Sequence, residues 1–488
     1  MFKKNIDIHN KMVIVMKNSS FWKNTDEIKR TNRKFENNMK CDILIIGGGI
    51  TGLTTAFYLD NSNKSVILID SKKIGNGITS SSTGKLTIMQ GNIYSKISNV
   101  LNYKTAYQYY KSQKCALKLI DDFIKKYNCD CDYEKSDSYL FVDNISNIVE
   151  LEKEEEFYKK AKIKYKKVDK LPNEYPINVG LEIANMHVIN PLRFVNEIKR
   201  NIKNVKIYEN ICALEINKSF GIYKVRTLKG NIFTKKIVVA THYPFFIKPG
   251  FIPFKTHIEK SYMLASKVEN SYSFNAINID NNTTSMRYYK DYLIMANNSH
   301  IPSNNDNYVK KFNKSNSKSK GKIEYNWSNH DVMTNDYMPY IGEVESNIYI
   351  STGYNKWGLT NGFLAGKIIS DLILSKKNQY ANLFSLNRKG SVTKSINALN
   401  SNLNTSNVYV KMKLFKRHDL KIKNEKNIST YKDGKKEYKV YNKCPHMGCK
   451  LIFNEIEKTW DCPCHGSRFD IRGKSICGPS TYSISIEK

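Results

Sequence analysis

Two short stretches near the end of the sequence concentrate side chains that bind metals. Cys444-Pro445-His446 reads C-x-H, Cys462-Pro463-Cys464-His465 reads C-x-x-H, and fifteen residues lie between them. Two thiolates and two imidazoles in this pattern suit either a tetrahedral zinc site or a [2Fe-2S] centre in which both histidines ligate one iron. Two further cysteines, Cys449 and Cys464, stand in the same stretches. The other six, Cys41, Cys115, Cys129, Cys131, Cys212 and Cys477, are scattered, as buried or free thiols are.

A second pattern lies near the start. Gly47-Gly48-Gly49-Ile50-Thr51-Gly52 satisfies G-x-G-x-x-G through Gly47, Gly49 and Gly52. Small residues there let the backbone approach a pyrophosphate, and a helix opening at the turn supplies oriented N–H groups. The apolar run Cys41–Ile46 precedes it, a helical stretch 53–59 follows, and the next apolar strand, 66–69, ends in Asp70, 23 residues after Gly47. A carboxylate there accepts hydrogen bonds from ribose hydroxyls. The chain holds no second G-x-G-x-x-G for a nicotinamide nucleotide, so the single site is expected to take FAD, with electrons arriving from a substrate. The segment after Asp70, with Ser82, Thr83, Gly84 and Lys85, is rich enough in small and hydroxyl residues to wrap a flavin. Late in this half, Gly353 and then Trp357-Gly358-Leu359 open another helix, whose N-terminus would stabilise negative charge on a reduced flavin.

The elements that position these groups follow from periodicity. Residues 105–126 and 147–168 read as charged helices, 193–201 as a helix, 205–216, 222–229 and 237–240 as strands, and 348–352 then 361–374 as a closing strand and helix. Residues 1–40 read as a polar extension leading to a short helical arm, with Met16 an alternative start. The Asn, Ser and Lys of 302–320 read as a solvated loop, and 376–407 as a linker.

With these motifs in place, residues 41–375 resemble the D-amino-acid-oxidase-like (DAO) family of FAD-dependent oxidoreductases. The likeness rests on the fingerprint with Asp70, the Ser/Thr/Gly/Lys segment, the stretch Asp336–Gly342 (DYMPYIG), and Gly353/Trp357/Gly358. It implies an α/β, Rossmann-like FAD-binding domain that is discontinuous in sequence (about 41–100, 180–245 and 330–375). An α+β substrate domain (about 101–179 and 246–329) would remove hydride from a carbon beside an amine. No motif fixes a catalytic residue; Arg287, His242, Tyr262 and His300 are candidates to face a substrate, and structural roles compete for each.

Residues 408–488 resemble Rieske domains of the disulfide-bearing kind found in cytochrome bc complexes, and Gly478-Pro479 matches their third cluster loop. The resemblance implies a small all-β domain in which Cys444 and Cys462 bind one iron, His446 and His465 the other, and Cys449 and Cys464 cross-link the loops. A zinc site has no use for that extra pair, and no mononuclear-iron facial triad of a ring dioxygenase is evident. The whole chain resembles bacterial FAD-dependent oxidoreductases with a fused Rieske domain.

Composition bounds the remaining readings. A chain of 488 residues, 40% hydrophobic, holds several cores, and no stretch approaches a membrane helix or a secretory signal, so cytoplasmic placement without integral membrane association is expected. The net charge of +33 is spread along the chain and is read as Lys-rich solvated surface. Residues 411–488 carry 18 basic and 9 acidic side chains, which would favour an acidic one-electron carrier such as a ferredoxin or flavodoxin; nucleic acid is not expected. The expected partners are a small-molecule substrate and this carrier. The alternative is an electron-transfer protein serving a redox partner with no small substrate of its own.

Overall fold

The computed structural model describes residues 19–486 except 28–30, 32, 247–249, 281–282, 303–306, 318, 320 and 389–426. The fully apolar strand Val66–Ile69 and the four apolar residues that end Met39–Ile46 are buried on both faces, as a parallel sheet covered by helices requires. Their sheet runs Ala213–Ser219, Ile222–Thr227, Gly230–Val239, Met39–Ile46, Val66–Ile69, Lys206–Tyr208, and Ile348–Thr352 adds in parallel to Gly230–Val239. The helices Ile50–Leu59 and Gly358–Ile373 pack side by side on this sheet. They come so close that a Cβ on Gly362 would lie 2.6 Å from Ile50 Cγ2, and one on Gly366 would lie 2.7 Å from Thr55 N.

A second, mostly antiparallel sheet of eight strands runs Lys322–Thr334, Thr256–Lys267, Tyr292–His300, Ser285–Tyr289, Phe274–Asn278, Asp137–Val142, Pro176–Ile183, Lys166–Lys170. It takes Pro176–Ile183 and Lys322–Thr334 whole, so the chain changes sheets after Ile183 and Thr334 rather than near 179 and 329. The long helix Tyr103–Tyr127, expected on the substrate side, packs against Gly358–Ile373 instead. The C-terminal module is all β: a hairpin, Ile428–Asp433 with Lys436–Tyr441, and a four-stranded sheet formed by Ile452–Asn454, Thr459–Asp461, Arg468–Asp470 and Ser475–Cys477.

Five local expectations change. The helix read over 147–168 stops at Lys160, and Lys166–Lys170 is an edge strand whose lysines made it look like helix surface. The strand read over 205–216 is two strands, Lys206–Tyr208 and Ala213–Ser219, in the same sheet but not adjacent. Within 302–320, Tyr308–Asn316 is a helix that buries Tyr308 and Phe312 four residues apart and is capped by Asn307. The segment before residue 41 is more than an arm: in the helix Phe21–Thr25, Phe21 and Trp22 are fully buried in the main core. At the other end, the expected linker begins docked, with Phe384 buried and Arg388 paired to Asp336; 389–407 lies outside the described residues.

Candidate functional site

The three fingerprint glycines are required for different reasons. A Cβ on Gly47 (φ 109°) would lie 2.4 Å from Ala240 O, and one on Gly52 would lie 1.8 Å from Gly47 O, so both serve packing of the turn against its own scaffold. A Cβ on Gly49 would meet only Thr79 Oγ1, at 3.2 Å, and Gly49 caps the helix Ile50–Leu59 with no side-chain partner. That open position at a helix N-terminus has the chemistry a pyrophosphate needs. Asp70 braces the turn: Gly48 N and Lys72 N each donate to its carboxylate at 2.7 Å. Burial raises it to about 6, and each oxygen keeps a lone pair that a ribose hydroxyl would satisfy.

The Ser82–Lys85 segment is held by its carbonyls. Trp22 Nε1 donates to Ser82 O at 2.8 Å, Arg287 Nη1 donates to Thr83 O and Gly84 O, and Trp327 Nε1 and Asn329 Nδ2 donate to Ser81 O. Gly84 (φ 79°) allows Ile189 N to reach Gly84 O. The Ser82 hydroxyl is buried with no partner among the described residues, as a group awaiting a ligand is. Lys85 is buried, donates to Ser285 Oγ and Ala276 O, and lies 5.5 Å from the Trp357 ring; burial, then Arg287, lowers it to about 7. Gly353 (φ 74°) ends Ile348–Thr352, and Trp357-Gly358-Leu359 starts the late helix beside the fingerprint helix, where Thr51 Oγ1 and Tyr354 OH share a 2.6 Å hydrogen bond.

The segment before Ser82 lies against one face of the second sheet. Along Lys322–Thr334, Trp327 and Asn329 turn to the Ser81 carbonyl, whereas Ser328 and His330 turn to the C-terminal module, the period-2 alternation of a strand. Glu259 and Asp331 are directly paired across the sheet. By the same alternation they share the face of Asn329. Burial alone would raise Glu259, but Lys356, His257 and Ser299 outweigh it and hold the carboxylate well below its usual range. Burial pushes Asp331 up to about 6 against the pull of Lys356. No sequence motif singled out this pair; the alternating strand was its one signal.

Of the four substrate-facing candidates, Arg287 is fully buried and spent on the Thr83, Gly84 and Ile189 carbonyls. His242 Nε2 donates to His330 O at 2.8 Å, and Tyr262 stacks with His300 at 6.0 Å.

In the C-terminal module, Cys449 and Cys464 form a disulfide that joins the two ligand loops. Cys462 Sγ lies within 4.8 Å of both disulfide sulfurs, which are spent on each other and leave the Cys462 thiol free to bind a metal. The buried Cys444 and Cys462 thiols lie in hydrogen-bonding reach of one another, which lowers the first and raises the second. The His446 and His465 rings are 5.0 Å apart, and all four of their nitrogens are buried with no partner among the described residues. Burial lowers both imidazoles, to about 4 and about 3, keeping them in the neutral form that a metal binds. Two adjacent thiols and two orphaned imidazoles fit a two-cysteine, two-histidine [2Fe-2S] centre. Gly478 (φ 100°) closes the third loop so tightly that a Cβ would lie 2.4 Å from Ser467 Cα.

Comparison with known proteins agrees with both halves. The family model for FAD dependent oxidoreductases (DAO) matches residues 42–372, and that for the Rieske [2Fe-2S] domain matches 409–486. A Bacillus subtilis protein named as a Rieske 2Fe-2S iron-sulfur protein, YhfW, is 27% identical, over 94% of this chain and 96% of its own. The gamma-glutamylputrescine oxidoreductase of Escherichia coli is 23% identical over 68% of this chain and 83% of its own. In fold, glycine oxidase from Geobacillus kaustophilus superimposes with a TM-score of 0.59 at 16% identity, covering 72% of this chain and 99% of that one. Among the described residues no helix is long and apolar enough to cross a membrane. The chain belongs to the DAO family of FAD-dependent oxidoreductases and carries a Rieske [2Fe-2S] domain, so that FAD and an iron-sulfur cluster are its cofactors.

Proposed function

We propose that the chain oxidises a small amine or amino-acid-like substrate and passes the electrons through its cluster to an external one-electron acceptor. FAD supplies the hydride acceptor, and the [2Fe-2S] centre supplies a one-electron outlet. In this reading Gly47, Gly49, Gly52, Asp70, the Ser82–Lys85 segment, Gly353 and Trp357–Leu359 cradle FAD. Cys444 and Cys462 hold one iron, His446 and His465 the other. Glu259 and Asp331 offer negative charge to a substrate ammonium beside the flavin segment. The observation that carries this function is that one pair of strands places this carboxylate pair on one face and the cluster loops on the other. Relatives named for gamma-glutamylputrescine and for glycine support an amine.

The test is an anaerobic screen of amines and amino acids for bleaching of the flavin absorbance, followed by EPR of the cluster. A compound that bleaches the flavin and then generates the reduced-cluster signal supports the proposal. Flavin reduction by a partner protein alone would favour the electron-transfer reading. The acceptor is proposed to be acidic, such as a ferredoxin or flavodoxin. Its reduction should then slow as salt shortens the Debye length from ~10 Å at 0.1 M to ~3 Å at 1 M, and a salt-insensitive rate would remove that acceptor class.

A further inference from the structure

The contact between the C-terminal module and the second sheet is built from charges that are almost never buried without a partner. Lys260, with a fully buried side chain, reaches out of the strand Thr256–Lys267 to Asp461 Oδ2 at 2.8 Å and Glu457 Oε2 at 3.3 Å. Arg468 of the module binds the same two acids, at 3.1 and 2.8 Å, and Ser328 donates to Glu457. Two cations and two carboxylates therefore close into one network, and Lys260 is its charged member from the second sheet. Its neighbours sit on the cluster loops. His330, directly across the sheet from Lys260, uses Nδ1 to donate to Gly466 O at 3.3 Å. The fit is close enough that a Cβ on Gly466 would lie 3.3 Å from His330 and 3.4 Å from Ile258. The Tyr243 ring packs 5.7 Å from the His465 ring and 6.3 Å from the His446 ring. The preceding residue, His242, accepts from Thr352 Oγ1 at 2.5 Å, which ties this contact to the turn at Gly353.

We infer that the edge of the cluster site formed by His446 and His465 is docked on the FAD-binding body of its own chain, with Tyr243 and His330 as the seat and Lys260 as the latch. Single electrons then enter the cluster from this chain's flavin across one sheet layer, with no bond made or broken. An external one-electron carrier meets the cluster elsewhere, on the rim where Lys443, Gly448 and Lys450 are exposed. Tyr243, His330 and Lys260 are positioning residues in this arrangement. The inference rests on the ligand assignment proposed above, and the experiment separates the two.

The test is hydrogen–deuterium exchange with mass spectrometry on the holoprotein, paired with modification of imidazoles by diethyl pyrocarbonate. In the wild type, peptides covering 444–449 and 462–467 should be protected, and His446 and His465 should resist modification. Lys260→Met should raise exchange in those peptides at least tenfold and expose both histidines, with flavin absorbance and the low-average-g EPR signal retained. Lys260→Met/Glu457→Gln removes the latch without stranding a buried charge, and should behave the same way if the single variant is too unstable to purify. Rapid modification of His465 in the folded wild type, or unchanged exchange in both variants, would overturn the docked edge. Loss of the EPR signature from the wild type would instead refute the ligand assignment.

Discussion

Lys260 and His330 face one another across the pairing of Thr256–Lys267 with Lys322–Thr334, and both side chains enter the C-terminal module. One residue away on each strand, Glu259 and Asp331 form the next pair and point the opposite way. A single step along two paired strands thus separates the groups facing the flavin segment from those facing the cluster loops, because side chains alternate between the faces of a sheet.

Cofactor content follows from the two sites. Purified protein should contain one FAD and two irons with two acid-labile sulfides, with little zinc. His465→Ala should abolish the low-average-g EPR signal of the reduced cluster and leave the flavin absorbance, and metal analysis with EPR checks both.

The fingerprint glycines should separate folding from binding. Gly52→Ala drives a methyl onto Gly47 O and should yield insoluble or strongly destabilised protein. Gly49→Ala meets only Thr79 Oγ1, so the protein should fold and lose FAD affinity by at least tenfold, about 1.4 kcal/mol. Equilibrium dialysis against FAD with thermal unfolding of each variant distinguishes the outcomes.

Asp331 sets a pH dependence. With its carboxyl raised by burial to about 6, it is charged, and competent to hold an ammonium, only above that pH. Single-turnover flavin reduction by the best amine should rise through about pH 6, and Asp331→Asn should flatten that limb. The stability term runs the other way. The folded state holds this proton more tightly than the unfolded chain, so the contribution from Asp331 falls as pH rises from 3.8 towards about 6.

The cluster potential is set in part by hydrogen bonds to sulfur. The Ser467 hydroxyl reaches the Cys444 thiol and also accepts from Ser480 N at 3.0 Å, whereas Phe469 is fully buried in the module core opposite Trp460 and has no hydroxyl to offer. The potential should lie below the top of the roughly −150 to +300 mV Rieske range. Ser467→Ala should lower it and Phe469→Tyr should raise it in protein-film voltammetry. An unchanged potential in Phe469→Tyr would show that the added hydroxyl does not reach the cluster.

Arg388 clamps Asp336 with two hydrogen bonds of 2.7 Å, and both side chains are nearly inaccessible. Arg388→Met strands a buried carboxylate and should cost about 3–5 kcal/mol in chemical denaturation, whereas Arg388→Met/Asp336→Asn should recover part of the loss.

The chemistry was legible in the sequence because it is local. The C-x-H and C-x-x-H spacings and the glycine turn before a helix each fix donor types within a few residues, and Asp70 follows one strand later. Helices such as Tyr103–Tyr127 were found within two residues at either end, whereas the paired strands Thr256–Lys267 and Lys322–Thr334 were not read from the sequence. The segments that misled, Lys166–Lys170 and Tyr308–Asn316, carry polar composition that reads as helix surface or loop until an edge position or a buried Tyr308/Phe312 pair explains it.

What only the tertiary structure decided is which distant residues complete the sites. Trp22 holds Ser82 O from 60 residues away, and Lys260 meets Asp461 from 201 residues away. In a chain with 78 Lys and Arg, nothing local marks Lys260 as buried. Its burial is created by the docking of the module, and a charge is stable there only because two carboxylates arrive with it.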